Sequence, residues 1–206
     1  MSPRKVWYVF KREMGAYFLS PVAYVVVAFY LLISGYFFSM FLFASQAAEM
    51  TGVLGNMGVT LLFVAPVITM RLLAEERKLG TEELLFTSPL SALDIVKGKY
   101  LAAVGVFLLA LALTAPYPVI LAAYGNPDFG PIVTGYLGLL LLGAAALAAG
   151  VFASSLSENQ MVTGMVAFAI LLLLWVVGWV GESVPTAAGR FVSEFSLLEP
   201  FADFRK

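Results

Sequence analysis

The chain has 206 residues, of which 61% are hydrophobic and 12% are charged, whereas a soluble domain is typically about 45–50% apolar and about 25% charged. This composition is typical of a membrane protein. The chain contains no cysteine, which excludes disulfides and thiol chemistry. It also contains no histidine, the residue that most often serves as a metal ligand or as a general base. Its formal net charge of −1 argues against nucleic acid as a partner.

The first predicted element is an amphipathic helix over residues 3–18 that lies at the membrane interface. Its apolar face is predicted to hold Trp7, Phe10, Met14, Tyr17 and Phe18, and its polar face Arg4, Lys5, Tyr8, Lys11 and Arg12. Pro21 marks the break before the next element. A cleaved signal peptide is not expected, because the basic region is too long and the following apolar run exceeds the usual core of about 7–15 residues. Small residues at 45–47 keep that alternative open.

Five uncharged runs are long enough to span a bilayer, which requires about 20 apolar residues. They cover residues 22–44, 50–70, 100–124, 130–154 and 160–180. The second run is the weakest, because Thr51 and Asn56 make its start polar. So many runs with so few charges argue against buried core helices of a large soluble protein. The predicted fold is therefore an all-α membrane protein with five transmembrane helices.

Lysine and arginine predict the orientation of these spans. The N-terminal arm contains four basic residues and the segment 71–99 contains five, whereas loops 45–49 and 125–129 contain none. The arm and the segment 71–99 are therefore predicted to face the cytoplasm. The tail 181–206 is predicted to be extracellular, and its three basic residues are a mild exception to the rule.

Proline and small residues interrupt the regular pattern inside two spans. Pro116 and Pro118 predict that the third helix kinks or ends there. The alanine- and glycine-rich stretch 143–150 predicts a surface for close helix packing. A kinked span is also a feature of channels and secondary transporters, which leaves that class as an alternative.

The segment 71–99 is the one place where charges are dense, with seven charged residues between 71 and 83. Gly80 and the pair Ser88-Pro89 interrupt this hairpin. Between these breaks the pattern predicts a short helix over Thr81–Thr87 that begins with two acidic residues, where the helix dipole favours them. After the second break, Ser91 and Asp94 predict a capping box. The residues alone leave two interpretations open: a docking surface for a cytoplasmic partner, or a solvated loop.

The same residues resemble a known family. The stretch PVITMRLLAEERKLGTEELLFTSPL at 66–90, followed by DIV at 94–96 and GKY at 98–100, is similar to the segment between the second and third spans of ABC-2-type exporter permeases. The pattern there is P-x-x-[TS]-x-R, then E-E-R-x-x-G-T-x-E-x-L, then S-P and G-K. Within that family the chain most resembles permease subunits of the gliding-motility type. The resemblance extends over nearly the whole chain and implies a single transmembrane domain, 1–206.

The resemblance implies a function: a permease subunit of an ATP-driven ABC exporter in the cytoplasmic (inner) membrane of a bacterium or archaeon. The permease forms a homo- or heterodimer, and its cytoplasmic coupling helix docks on a dimer of a separate ATPase subunit that binds ATP and magnesium. The implied coupling residues are Thr81, Glu82, Glu83, Leu84, Leu85, Phe86 and Thr87. The implied hinge of the hairpin comprises Glu75, Glu76, Arg77, Gly80, Ser88 and Pro89.

Two features of the sequence bear on this interpretation. There is no G-x-x-x-x-G-K-[ST] motif, so ATP hydrolysis is expected in a partner chain rather than in this one. The family pattern has six spans and only five are predicted here, so we expect the chain to be truncated before the sixth. The alternative function is a non-transporting membrane subunit that transmits ATPase motion to cell-envelope machinery. An intramembrane enzyme is disfavoured, because no histidine, cysteine or charged residue lies inside a predicted span. No substrate-binding residue can be named.

Overall fold

A computed structural model describes residues 3–45, 49–80 and 90–183, together with residues 201 and 204. The regular secondary structure of these residues is helical. The helices are α1 (Pro3–Leu19), α2 (Pro21–Ser45), α3 (Thr51–Thr69), α4 (Ala74–Lys78), α5 (Ala92–Ala112), α6 (Pro116–Tyr124), α7 (Phe129–Ser154) and α8 (Gln160–Ser183).

Within the described residues, five helical stretches are long and apolar enough to cross a membrane. They are Pro21–Ala44, Thr51–Lys78, Ala92–Tyr124, Phe129–Ser154 and Gln160–Val177. The predicted fold class, an all-α protein with five membrane-spanning helices, is therefore confirmed. Two boundaries differ by eight residues: the helical stretch of the second span ends at Lys78 rather than at residue 70, and that of the third begins at Ala92 rather than at Tyr100.

The early start of α5 follows from its cap. The Ser91 hydroxyl oxygen accepts a hydrogen bond from the backbone N–H of Asp94 at 3.2 Å, and the Asp94 carboxylate accepts one from the backbone N–H of Ser91 at 3.3 Å. Two backbone donors that a helix leaves unpaired at its first turn are thereby satisfied. The predicted capping box is confirmed, and it adds about two turns of helix before the apolar run.

The predicted interruption of the third span is also confirmed, because a turn at 113–115 separates α5 from α6. Four hydroxyl-bearing residues surround this break, and we call them the hydroxyl cluster: Ser34, Thr114, Tyr117 and Tyr136. Thr114 donates to the carbonyl oxygen of Leu111 at 2.7 Å. Tyr136 donates to the Thr114 carbonyl oxygen at 3.0 Å. Both carbonyl oxygens also accept a backbone N–H, from Thr114 and Tyr117 respectively, so the hydroxyl groups add side-chain bonds at a break that lies between apolar helices.

The core of the bundle is formed largely where α3 packs against α7. The small residues predicted to allow close packing on α7 do so, since Gly143 lies against the Phe107 ring and Gly150 lies against Thr69. A side chain at either position would collide with its neighbour, so glycine lets the helices approach. This prediction is confirmed.

The arm α1 packs against α5 with a face that overlaps the predicted one only in part, at Phe10, Met14 and Tyr17. Its buried residues are Val9, Glu13 and Tyr17, whereas Trp7 is 60% exposed and Phe18 is 38% exposed. The predicted apolar face therefore divides between the protein and the surroundings. The contact with α5 decides which side of the helix is buried, and it buries an acidic residue that the sequence pattern gave no role.

Candidate functional site

Charged side chains from three helices meet at one end of the bundle. Arg12 and Glu13 come from α1, Glu76 comes from α4, and Lys99 comes from α5. We call these four residues the ionic junction. α1 and α5 bring their members together by direct packing, and the short helix α4 presents Glu76 to both.

The distances in the ionic junction are those of direct ion pairs. Lys99 Nζ lies 3.1 Å from Glu13 Oε1 and 3.0 Å from Glu76 Oε1. Arg12 Nη2 lies 2.8 Å from the same Glu76 oxygen and 3.8 Å from Glu13 Oε1. One lysine thus contacts carboxylates of two different helices, and each of the two carboxylate oxygens lies within ion-pair distance of both cations.

Burial differs sharply among the four residues. The Lys99 side chain is 1% exposed and the two glutamate side chains are 11% exposed, whereas the Arg12 side chain is 56% exposed. A charge that has lost its water is tolerated only when it is paired. Two cations and two anions balance each other in formal charge, and Lys99 is the member that depends most on its partners.

A second set of contacts surrounds Arg71, which follows α3. It joins the end of α3 to the junction between α1 and α2. Its guanidinium donates to the Ser20 hydroxyl at 2.8 Å, pairs with Glu75 at 3.2 Å and lies 5.6 Å from the centre of the Tyr17 ring. Tyr17 donates to the carbonyl oxygen of Ile68 at 2.6 Å. Burial raises the pKa of the Tyr17 hydroxyl, and the nearby Arg71 charge opposes that rise. The hydroxyl therefore stays protonated and remains a donor.

The C-terminal end of α7 contacts both ends of α4. The Ser154 hydroxyl oxygen accepts hydrogen bonds from the backbone N–H groups of Leu73, at 3.0 Å, and Ala74, at 3.3 Å. The Arg77 guanidinium donates to the carbonyl oxygen of Ser155. Ser154 thus satisfies backbone donors at the start of α4, and Arg77 satisfies an acceptor at the end of α7.

A cavity of about 260 Å³ lies between these contacts and is lined by residues of both charged sets. Its volume is enough for several water molecules, and its walls supply the polar partners that water needs. Within the described residues no group of histidine, cysteine, aspartate and glutamate side chains can hold a metal ion. The arrangement can transmit force between helices, and its charged groups are paired with each other rather than directed at a reacting atom.

A family comparison agrees with this architecture. The model of a family described as "ABC-2 family transporter protein" matches residues 44–205, which is more than half of the chain. The chain belongs to the ABC-2 transporter family. No curated protein and no solved structure shows a significant match. This ABC-2 protein is therefore a multi-pass membrane protein of a transport family whose members generally work with an ABC ATPase.

The predicted hinge residues of the ABC-2 protein are only partly described. Glu75, Glu76 and Arg77 lie in α4 and contact three other helices through the bonds given above. Gly80 follows α4 with a φ of 66°, a left-handed conformation that glycine adopts without strain. Ser88 and Pro89 lie outside the described residues, as do the predicted coupling residues 81–87 and most of the predicted tail 181–206. Their roles stay predictions.

The sequence analysis did not predict a role for Glu13, and it did not predict that Lys99 forms ion pairs. A signal for Glu13 was present, because it is the only acidic residue of α1 and lies four residues from both Val9 and Tyr17, which share its buried side. Lys99 had a comparable signal in its neighbours Ile95 and Ala103, which are buried on the same face of α5. A lone charge within a buried stripe indicates an ion pair.

A second cavity, of about 470 Å³, lies among α5, α6 and α7 near the helix break. Its lining is almost entirely apolar and includes Leu111, Ile132 and Tyr136. Among the described residues, no charged side chain lines it. It is therefore a cavity of the apolar part of the ABC-2 protein, separate from the ionic junction.

Proposed function

We propose that the chain is the permease subunit of an ATP-driven ABC exporter and that the hairpin 71–99 couples it to a separate ATPase subunit. The observation that carries the proposal is the attachment of α4 to α1, α5 and α7. α4 leads directly into residues 81–89, so a displacement of that segment is passed to three helices of the bundle. Family membership supports the transport role.

Orientation and partners follow as parts of the same proposal. The basic arm and the hairpin 71–99 contain most of the lysine and arginine residues, and the ionic junction joins them at one end of the bundle, which supports a cytoplasmic location for both. The ATPase subunits would bind ATP and magnesium, and two permease subunits would complete the exporter. We also propose that the chain is related to permease subunits of the gliding-motility type, because its hairpin 71–99 resembles theirs.

Copurification with an ABC ATPase subunit from the same genome tests the coupling role. The permease is tagged, expressed with that ATPase and purified from membranes. In one variant Glu82→Lys and Glu83→Lys are combined, which reverses the charge of the predicted coupling helix. The matched control is Glu158→Lys, an exposed acidic residue in the loop that follows α7, close to the end that contacts α4.

We expect the ATPase to copurify with the wild type and with Glu158→Lys, and to be lost from the double variant although its membrane insertion is unchanged. Charge reversal at the docking surface reduces affinity more than reversal elsewhere on the same face. If the ATPase binds none of the proteins, or all of them equally, the hairpin is a solvated loop and the coupling proposal is wrong.

A further inference from the structure

We propose that Lys99 is a positioning residue that makes α1 and α4 move as one body, so that the arm follows the hairpin when the ATPase acts, a role that rests on the proposed coupling function. Arg12 and Glu13 of the arm precede the region matched to the family, which begins at residue 44. The family match therefore does not cover them, and their participation rests on the contacts in this structure.

The contact between α1 and α5 is close and mainly apolar. A Cβ atom built on Gly98 would lie 2.5 Å from Val9 Cβ and 3.1 Å from the carbonyl oxygen of Val6, and one built on Gly105 would lie 3.2 Å from the sulfur of Met14. Backbones that approach so closely form a rigid pair through van der Waals packing. α1 and the start of α5 therefore behave as a single body without any ion pair.

α4 reaches that body through charges. It has five residues and follows α3 after a turn at 70–73, so the chain fixes its start and side-chain contacts hold it beside α1 and α5. Glu76 supplies them on this side, with Lys99 at 3.0 Å and Arg12 at 2.8 Å. The contacts of α4 with the end of α7 use a serine hydroxyl and a backbone carbonyl oxygen, and they do not involve Lys99.

Lys99 matters more than Arg12 because of burial and geometry. Its ammonium group contacts carboxylates of both α1 and α4, and its side chain is 1% exposed. Arg12 is more than half exposed, so water screens its interaction with Glu76. Without the ammonium group, Glu13 and Glu76 would be two like charges close together with Arg12 as their one remaining cation in the ionic junction, and their repulsion would favour separation of the helices.

Three single variants of the cysteine-free chain test this role. Lys99→Met removes the charge and keeps an unbranched side chain. Lys99→Arg keeps the charge, and the adjacent cavity of about 260 Å³ has room for a guanidinium group. Lys97→Met is the matched control, because Lys97 is an exposed lysine of the same helix.

The first measurement is a distance between spin labels in the chain alone, reconstituted in lipid nanodiscs. Cysteines replace Ala16 on α1 and Leu79 after α4, which both line the cavity. We expect a narrow distance distribution in the wild type, Lys99→Arg and Lys97→Met, and a broader, longer one in Lys99→Met. A second label pair at Ala16 and Leu93 joins α1 to α5 and should be unchanged in every variant.

Two results of that measurement overturn the proposal. One is a wild-type Ala16–Leu79 distribution in Lys99→Met, which would show that α4 keeps its position without the ammonium group. The other is a change of the Ala16–Leu93 pair as well, which would show that Lys99 supports the fold in general. Failure of Lys99→Arg to match the wild type would also contradict a role of the charge.

The second measurement uses the complex with the ATPase and records the stimulation of ATP hydrolysis by the permease. Lys99→Met should still copurify with the ATPase but lose most of the stimulation, whereas Lys99→Arg and Lys97→Met should retain it. Wild-type stimulation by Lys99→Met overturns the proposal. If no ATPase copurifies with the wild type, the proposed function fails, and the spin-label distances still decide whether Lys99 holds α4 to α1.

Discussion

The ionic junction holds two cations and two carboxylates, whereas the helix break between α5 and α6 is surrounded by hydroxyl groups. Both regions satisfy polar groups that have lost water. The ionic junction lies at an end of the bundle beside a polar cavity, where water can enter and stabilise charge. The hydroxyl cluster lies between helices that are apolar enough to span a membrane, where an ionised side chain costs about 2.5–3.5 kcal/mol or more.

The comparison shows that the kind of polar group depends on its place in the bundle: charged groups lie at the end, and hydroxyl groups lie between the apolar helices. Ion pairs bind helices strongly, but each buried charge needs a partner of opposite charge. The loss of one charged side chain therefore leaves another charge without its partner. Hydroxyl groups give weaker bonds, and the loss of one leaves a smaller defect. Substitutions in the two regions should therefore differ in size, and the following experiments measure that difference.

The largest expected effect is that of Lys99→Met on stability. Removal of one partner from a buried ion pair typically costs about 3–5 kcal/mol when the remaining charge is uncompensated; Arg12 still faces both carboxylates, so we expect the lower end of that range. Denaturant unfolding in mixed micelles measures the free energy of unfolding. The double variant Glu76→Gln/Lys99→Met should be less destabilised than the sum of the two single variants. Additive effects would contradict direct pairing.

Ser154→Ala should have a smaller effect, about 1 kcal/mol, because it removes the acceptor for two backbone donors at the start of α4. Hydrogen exchange of the Leu73 and Ala74 amides should accelerate. Ser155→Ala is the matched control, since among the described residues the Ser155 hydroxyl bonds to its own helix, at the Phe152 carbonyl oxygen. Equal exchange in both variants would show that the Ser154 hydroxyl does not cap α4.

Thr114→Val in the hydroxyl cluster should cost about 0.6–1.7 kcal/mol, the range measured for hydrogen bonds between membrane helices. It removes the hydroxyl bond to the Leu111 carbonyl oxygen and the 3.1 Å bond between the Thr114 and Tyr136 hydroxyls. It keeps the shape of the side chain and the bond that Tyr136 donates to the Thr114 backbone carbonyl. The control is Thr134→Val, whose hydroxyl bonds to Gly130 on its own exposed helix face. A larger loss for Thr134→Val than for Thr114→Val would contradict the role of the cluster.

Tyr30→Phe should have the smallest effect, with no loss of stability or a slight gain. Among the described residues the Tyr30 hydroxyl has no hydrogen-bond partner, although its side chain is fully buried, and removal of an unpaired buried hydroxyl relieves a desolvation cost. Tyr136→Phe is the contrasting variant, because that hydroxyl bonds to Thr114. Destabilisation by Tyr30→Phe equal to that by Tyr136→Phe would show that Tyr30 has a partner such as bound water.

Local features of the fold were predictable from the sequence. The apolar runs, the capping box at Ser91 and Asp94, the break at Pro116 and the small residues of α7 each depend on neighbours within a few positions. Burial of the arm was predicted less well. Its amphipathic pattern was recognised, but the choice of the buried side depended on the close approach of Val9 to Gly98, a contact between residues far apart in the chain.

The sequence by itself determined the membrane class, the number of spans among the described residues and the hairpin that identifies the family, because hydrophobicity, capping and length act locally. Only the tertiary structure decided which charges pair. Glu13 and Lys99 are 86 residues apart, and nothing in their local sequence specifies a partner. Their pairing follows from the packing of α1 on α5 and from the turn that brings α4 beside them, since an ion pair forms only where the fold places two charges within a few ångströms and excludes water.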